Sequence, residues 1–140
     1  MAALALVVGS AAAVSLVENG EARAEIVLPE GAWPAERLAA SELRFLLKKA
    51  SGAELAIVEK GKDRAGFAKV LVGRAAGLGS FAPFAGKVVA EGKVLKIAGG
   101  DSPGDTKKSD TQCGTLYAAY EFETASWARA SSGRTTGSAW

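Results

Sequence analysis

Apolar positions recur at three- and four-residue steps across residues 34–50. Leu38, Ala39, Leu43, Leu46, Leu47 and Ala50 form one side, and Glu36, Arg37, Glu42, Arg44, Lys48 and Lys49 mark the other. A period near 3.6 residues predicts an amphipathic helix with the apolar stripe turned inward. The ends of the segment agree. Pro34 suits a first turn, where its missing N–H leaves no bond unmade. Lys48 and Lys49 would sit at the negative end of the helix dipole, and Gly52 is placed to close the helix in a left-handed conformation. Outside this segment the apolar runs shorten to strand length. Residues 14–17 form one run. Asn19-Gly20 then signals a two-residue hairpin, because both central positions of a type I′ turn need positive φ. Residues 24–28 read as the next strand, ended by Pro29 and Gly31. Further strands are expected at 55–58, 70–72, 87–90 and 94–97, the last two flanking a tight turn at Glu91-Gly92. A polar loop spans 99–110. A second helix is expected from Thr111 or Gly114 to about Glu123, with Leu116, Ala119 and Tyr120 on one face. The order β-β-α-β-β-β-β-α predicts an α+β fold, a small mixed or antiparallel sheet with two helices packed on one face.

The two ends of the chain follow other rules. Residues 2–17 carry no charge, and Ala11, Ala12 and Ala13 supply a small-residue cleavage pattern. Residues 1–13 are therefore expected to be a signal peptide, although no Lys or Arg precedes the apolar run, and a secreted or periplasmic (cell-envelope) location follows. The run is shorter than the roughly 20 residues that span a bilayer, so no membrane span is expected. A globular domain is expected over 14–123. Residues 124–140 are rich in Ser, Thr, Gly, Arg and Ala and have no period of either kind, which predicts an unstructured tail.

Composition narrows the chemistry. The length of 140 residues suits one domain. A formal net charge of +2 is too small to argue for nucleic acid or an acidic membrane surface. There is no histidine, which excludes a Ser–His or Cys–His nucleophile and the usual Cys/His zinc site within this chain. Cys113 is alone, so no internal disulfide can form, and a buried, inert thiol is expected. The carboxylates Glu18, Glu21, Glu25, Glu30, Glu36, Glu42, Asp101, Asp105, Asp110, Glu121 and Glu123 fall mostly in turns or on the wet helix face. None has a neighbourhood that would raise its pKa, so structural or surface roles are expected. The glycine-rich run from Gly73 to Gly79 lacks the Lys-Ser/Thr of a phosphate loop and reads as a turn leaving the sheet. Asp101, Asp105 and Asp110 miss the spacing of a calcium loop and read as solvated. Trp33 is expected to staple the helix start. No catalytic, cofactor-binding or metal-binding residue is assigned.

One segment is more specific. Gly114-Thr115-Leu116-Tyr117-Ala118-Ala119-Tyr120-Glu121-Phe122 resembles the segment G-T-L-Y-A-V-Y-E-F-L-E that closes the N-terminal domain of alpha-glucuronidase-like glycoside hydrolases. Earlier blocks are similar in pattern: Ile26-Val27-Leu28-Pro29, residues 35–47 in the style of A-A-x-E-L-x-x-x-L-x-K-x-S-G-A-E-L, and Val70-Leu71-Val72-Gly73-Arg74. The resemblance covers about residues 16–122. It implies a fold like the second domain of beta-hexosaminidases, which packs against a catalytic (β/α)8 barrel. It implies a non-catalytic accessory domain of a secreted polysaccharide-acting enzyme whose barrel is absent from this chain. Its partners would be that barrel and polysaccharide.

The similarity stops after Phe122, where related sequences continue Leu-Glu and then Leu-Gly-x-Arg-x-x-Trp-Pro. Reading the third base of each codon with the first two of the next, from Ser126 onward, allows Leu-Gly-x-Arg-x-x-Trp-Pro-Asp-Asp. The expectation is a one-base loss between the codons for Phe122 and Ser126, which puts the tail out of frame. The alternative function is a free-standing carbohydrate-binding or interaction module. Such modules usually expose a platform of aromatics, and aromatic residues are only 7% here.

Overall fold

The computed structural model describes residues 4–8, 12–108 and 111–122. Strands β1 (Leu4–Val8), β2 (Ala12–Glu18) and β3 (Glu21–Ala22) form a small antiparallel sheet. Strand β4 (Ala24–Leu28) leads to helix α1 (Pro34–Ser51). Strands β5 (Ala56–Glu59) and β6 (Ala68–Val72) follow, then a 3₁₀ turn (Gly73–Ala76), β7 (Gly86–Glu91) and β8 (Val94–Gly99). A second helix, α2, occupies 114–122. The five-stranded sheet has the order β5-β4-β6-β8-β7. It is mixed: β5, β4, β6 and β8 run parallel, and β7 is antiparallel to β8. The fold is α+β, with the expected order from β2 onward; β3 is an addition, and β1 precedes it.

One face of this sheet carries the core. Ala24, Ile26, Val70, Val72, Leu95 and Ile97 alternate inward along the central strands and pack with Ala39, Leu43 and Leu47 of α1 and Leu116, Ala119 and Phe122 of α2. Both helices therefore cover the same face. Leu16 and Val17 of β2 join the same core, so two successive residues of that strand are buried. Each fully buried Leu, Ile, Val or Phe contributes about 1.5–3 kcal/mol of hydrophobic burial before chain entropy is set against it.

Three local expectations are corrected. Asn19 and Gly20 have φ of 52° and 76°, as a type I′ turn requires, but the returning strand is the two-residue β3. The longer 24–28 segment leaves that hairpin at Arg23 and becomes the middle of the parallel sheet, where all but its last residue are buried. The β7–β8 turn is centred on Gly92-Lys93, one residue later than expected, because Glu91 pairs with Val94. Of those two, only Gly92 has positive φ, as in a type II′ turn. The inward stripe of α1 runs through Ala35, Glu36, Ala39, Ala40, Leu43 and Leu47, so Glu36 is inside and Leu46 is half-buried. Within the segment read as a signal peptide, Leu4–Val8 pair with β2 in the chain as it stands. Residues 1–3 and 9–11 of that segment, Asp110, Glu123 and the 124–140 tail lie outside the described residues.

Glu25, within the expected strand and expected to have a structural or surface role, is buried on the sheet face away from the helices and has a structural one. Its partners come from the connection between β5 and β6 and from β6 itself. The Arg64 backbone N–H and guanidinium Nε each donate to it at 2.7 Å, and Lys69 Nζ lies at 3.4 Å. Lys69 also donates to the Arg64 carbonyl and pairs with Asp63 at 3.1 Å. Burial pushes the Glu25 carboxyl up, but the hydrogen bonds from Arg64 and Lys69 outweigh it and hold the group below the ordinary glutamate value of 4.5. A lowered folded pKa contributes stability that is present above the unfolded value and lost as pH falls through the folded one. Urea midpoints measured from about pH 6 to about pH 3 are expected to fall more steeply for the wild type than for Glu25→Gln. Parallel curves would remove Glu25 as the source of the acid limb.

Candidate functional site

The carboxyl ends of β4, β6 and β8 lie at one end of the sheet, and the loops leaving them meet there. In open sheets with parallel strands this end is where crevices form. Each loop brings a residue that fixes a helix start. Trp33 and Pro34 follow β4 and open α1; Gly73 and Arg74 follow β6; Gly99 ends β8, and Gly100 and Asp101 follow it.

Glu36 is the first anchor. It is fully buried, and its carboxylate accepts from the Trp33 backbone N–H at 2.8 Å. That bond satisfies a donor at the start of α1, and a negative charge in the first turn suits the helix dipole. The same carboxylate accepts from the Arg74 backbone N–H at 2.8 Å and from the guanidinium at 3.1 Å (Nε) and 2.9 Å (Nη2). Nη2 also donates to the Gly31 carbonyl at 3.1 Å. The fork geometry of arginine makes this a two-bond pair, which a lysine could not reproduce. Bonding to Glu36 raises the Arg74 pKa, against the cost of burial. Arg74 lies 4.1 Å from the Trp33 ring centroid, a cation–π stack. Gly73 permits the whole arrangement: it has φ of 64°, and a Cβ there would lie 2.4 Å from Glu36 Oε2.

Asp101 is the second anchor. It accepts from the Thr115 backbone N–H at 2.9 Å and from the Thr115 hydroxyl at 2.5 Å, so a carboxylate at the end of β8 caps the first turn of α2. Burial raises the Asp101 pKa and the Glu36 charge adds to it, while Thr115 and Arg74 oppose. The expectation that no carboxylate has such a neighbourhood is corrected at this residue. The Gly114 N–H donates to the Gly100 carbonyl at 3.0 Å, and backbones approach so closely here that a Cβ at Gly99 would lie 2.4 Å from the Gly114 carbonyl carbon.

Beside Arg74 and Asp101 is a cavity of about 330 Å³. It is lined by Arg74 and Asp101, by Trp33 and Phe81, by Gly77 and Gly79 of the glycine-rich run and by Ser80 just after it. That run is a turn leaving the sheet, as expected, and it also lines the cavity. Asp105, by contrast, is exposed and bonds its own loop through the Lys107 N–H at 2.9 Å. Cys113 is buried, and burial pushes its thiol pKa up, with the Asp101 charge adding to this. Such a thiol is a poor nucleophile.

Sequence reading missed Glu36 and Asp101 as site residues. The available signal for Glu36 was its place three residues after the helix-opening Trp33, where a glutamate reaches back to a free N–H. Nothing local distinguished Asp101. Among the described residues no group of three or more His, Cys, Asp or Glu could hold a metal ion. No helix among them is long and apolar enough to cross a membrane. Comparison with protein-family models, with curated proteins and with solved structures finds no match to this chain.

Proposed function

We propose that this chain is the non-catalytic N-terminal accessory domain of a secreted, alpha-glucuronidase-like glycoside hydrolase. The observation that carries this reading is where the resembling blocks lie. Val72-Gly73-Arg74 supplies the glycine and arginine that Glu36 needs, and Gly114-Thr115 supplies the glycine and hydroxyl that β8 and Asp101 need. The residues that carry the resemblance are those that fix the two helices to the sheet, as expected of a shared scaffold rather than a shared reaction. The outer side of those helices offers a face for a second domain. Phe45 is 58% exposed, and Tyr117 is 49% exposed and stacks on Phe84 with centroids 5.9 Å apart. Phe84 holds its place with φ of 64°, a conformation that costs a bulky residue about 1–3 kcal/mol.

The test compares two products. The gene is sequenced through and beyond the codons for residues 123–140, and the longer product of the alternative frame is expressed beside the 140-residue chain. The longer product is expected to release glucuronic acid from glucuronosyl oligosaccharides, and the short chain to release nothing above the buffer rate. Turnover by the short chain overturns the reading. So does an alternative frame that closes within a few codons.

A further inference from the structure

The cavity beside Arg74 and Asp101 has more hydrogen-bonding capacity than the fold uses. Glu36 engages Nε and Nη2 of Arg74, but no described residue accepts a bond from Nη1. Likewise the backbone N–H groups of Gly79 and Ser80, and the Ser80 hydroxyl, have no partner among the described residues. Asp101 also lines the cavity; each of its oxygens accepts one bond from Thr115, and a carboxylate oxygen has capacity for a second. Residues carrying these donors and this acceptor thus line one space, together with Trp33 and Phe81.

Charge selects among ligands. Arg74 contributes one positive charge, and Glu36 and Asp101 contribute one negative charge each when ionised. The positive charge is already neutralised by a two-bond pair. An incoming phosphate or carboxylate would meet Asp101 without a free cation to offset it. A neutral ligand with several hydroxyl groups meets no such penalty. Its hydroxyls can donate to Asp101 and accept from Arg74 and the loop amides, while its C–H faces lie against the rings. The volume is at the lower end of the range for small-molecule pockets, enough for one ring with its substituents.

We infer that the cavity bounded by Trp33, Arg74, Ser80 and Asp101 is a binding site for a single neutral sugar residue. This goes beyond the accessory-domain reading and does not depend on it, since it concerns only side chains of this chain.

The test is an amide-resolved NMR titration of the 140-residue chain. The neutral probes are methyl β-glucoside, methyl β-galactoside and methyl β-xyloside; glucuronate and inorganic phosphate are the anionic comparisons at matched ionic strength. At least one neutral glycoside is expected to give saturable shifts at the Gly79 and Ser80 amides and the Trp33 indole N–H, with Kd in about the millimolar range. Both anions are expected to bind about tenfold more weakly or not at all. Ser80→Trp fills the cavity from an exposed position and is expected to weaken binding about tenfold with an unchanged unfolding midpoint. Asp101→Asn is expected to weaken it as well, and its folding is checked by the dispersion of the core methyl signals. No saturable shift with any neutral probe, tighter binding of phosphate or glucuronate, or undiminished binding by folded Ser80→Trp each overturns the inference. None of these outcomes bears on whether a longer product hydrolyses glycosides, so failure here and failure of the accessory-domain reading are separable.

Discussion

Glu36→Ala is expected to lower the unfolding free energy by about 3 kcal/mol, a large share of the roughly 5–15 kcal/mol that holds a small domain together. The size follows from what the carboxylate does. It accepts four hydrogen bonds, from two backbone N–H groups and two guanidinium nitrogens, while fully buried. Removing it leaves both N–H groups without a partner, each costing about 1–3 kcal/mol where water cannot reach. Arg74 is 44% exposed, so its guanidinium can turn to solvent, which moderates the loss. Glu36→Gln keeps the shape and one acceptor oxygen and is expected to cost about half as much. Arg74→Lys tests the fork from the other side and is expected to cost about 1–2 kcal/mol, because a single ammonium cannot bond both oxygens in one plane. Urea unfolding with shared m-values measures all three. A Glu36→Ala midpoint within error of the wild type would show that α1 is held by its apolar stripe alone.

Gly114→Ala tests a different force, and here the sign decides. Gly114 begins α2, and helix propensity alone would make alanine more stable by up to about 1 kcal/mol. The packing predicts the reverse. A Cβ at Gly114 would lie 2.4 Å from the Gly100 nitrogen, 2.5 Å from the Ala85 carbonyl oxygen and 2.9 Å from the Gly100 carbonyl oxygen. All three are backbone atoms tied into the sheet end: the Gly100 N–H donates to Ala85 at 2.7 Å, and the Gly100 carbonyl accepts from Gly114 at 3.0 Å. None can yield as a flexible side chain would. Gly114→Ala is therefore expected to destabilise by about 3 kcal/mol or more, either by pushing α2 off the sheet or by breaking its tie to Asp101. Gly99→Ala meets the same backbone from the opposite side, with atoms at 2.4 and 2.5 Å, and should behave alike. Gain of stability in Gly114→Ala would mean that α2 does not sit this close to β8.

Much of the fold is legible along the chain because it depends on period. The 3.6-residue recurrence from Leu38 to Leu47 marks α1, and Asn19-Gly20 marks the first turn, since both are local consequences of where side chains point and which φ values a residue tolerates. The same logic places β6 and β8 and puts the start of α2 at Thr111 or Gly114, of which the structure has Gly114. What local pattern cannot register is the partner. Residues 24–28 read as the return of a hairpin because Asn19-Gly20 precedes them. Their place inside the sheet is decided instead by β5 and β6 pairing on either side, and the partners of Glu25 come from 39–44 residues away.

The candidate site divides the same way. By itself the sequence determined the helix, the strands, the turn leaving β6 and the absence of histidine chemistry, because each is a property of residue type or short-range spacing. Only the tertiary structure decided that Glu36, polar and amid charged neighbours, lies inside, that Asp101 leaves its loop to cap a helix fourteen residues on, and that a cavity opens beside Arg74 and Asp101. A carboxylate can be buried only where donors converge on it. Those donors, Arg74 for Glu36 and Thr115 for Asp101, are brought within reach by the order of strands in the sheet, and no repeat along the chain carries that information.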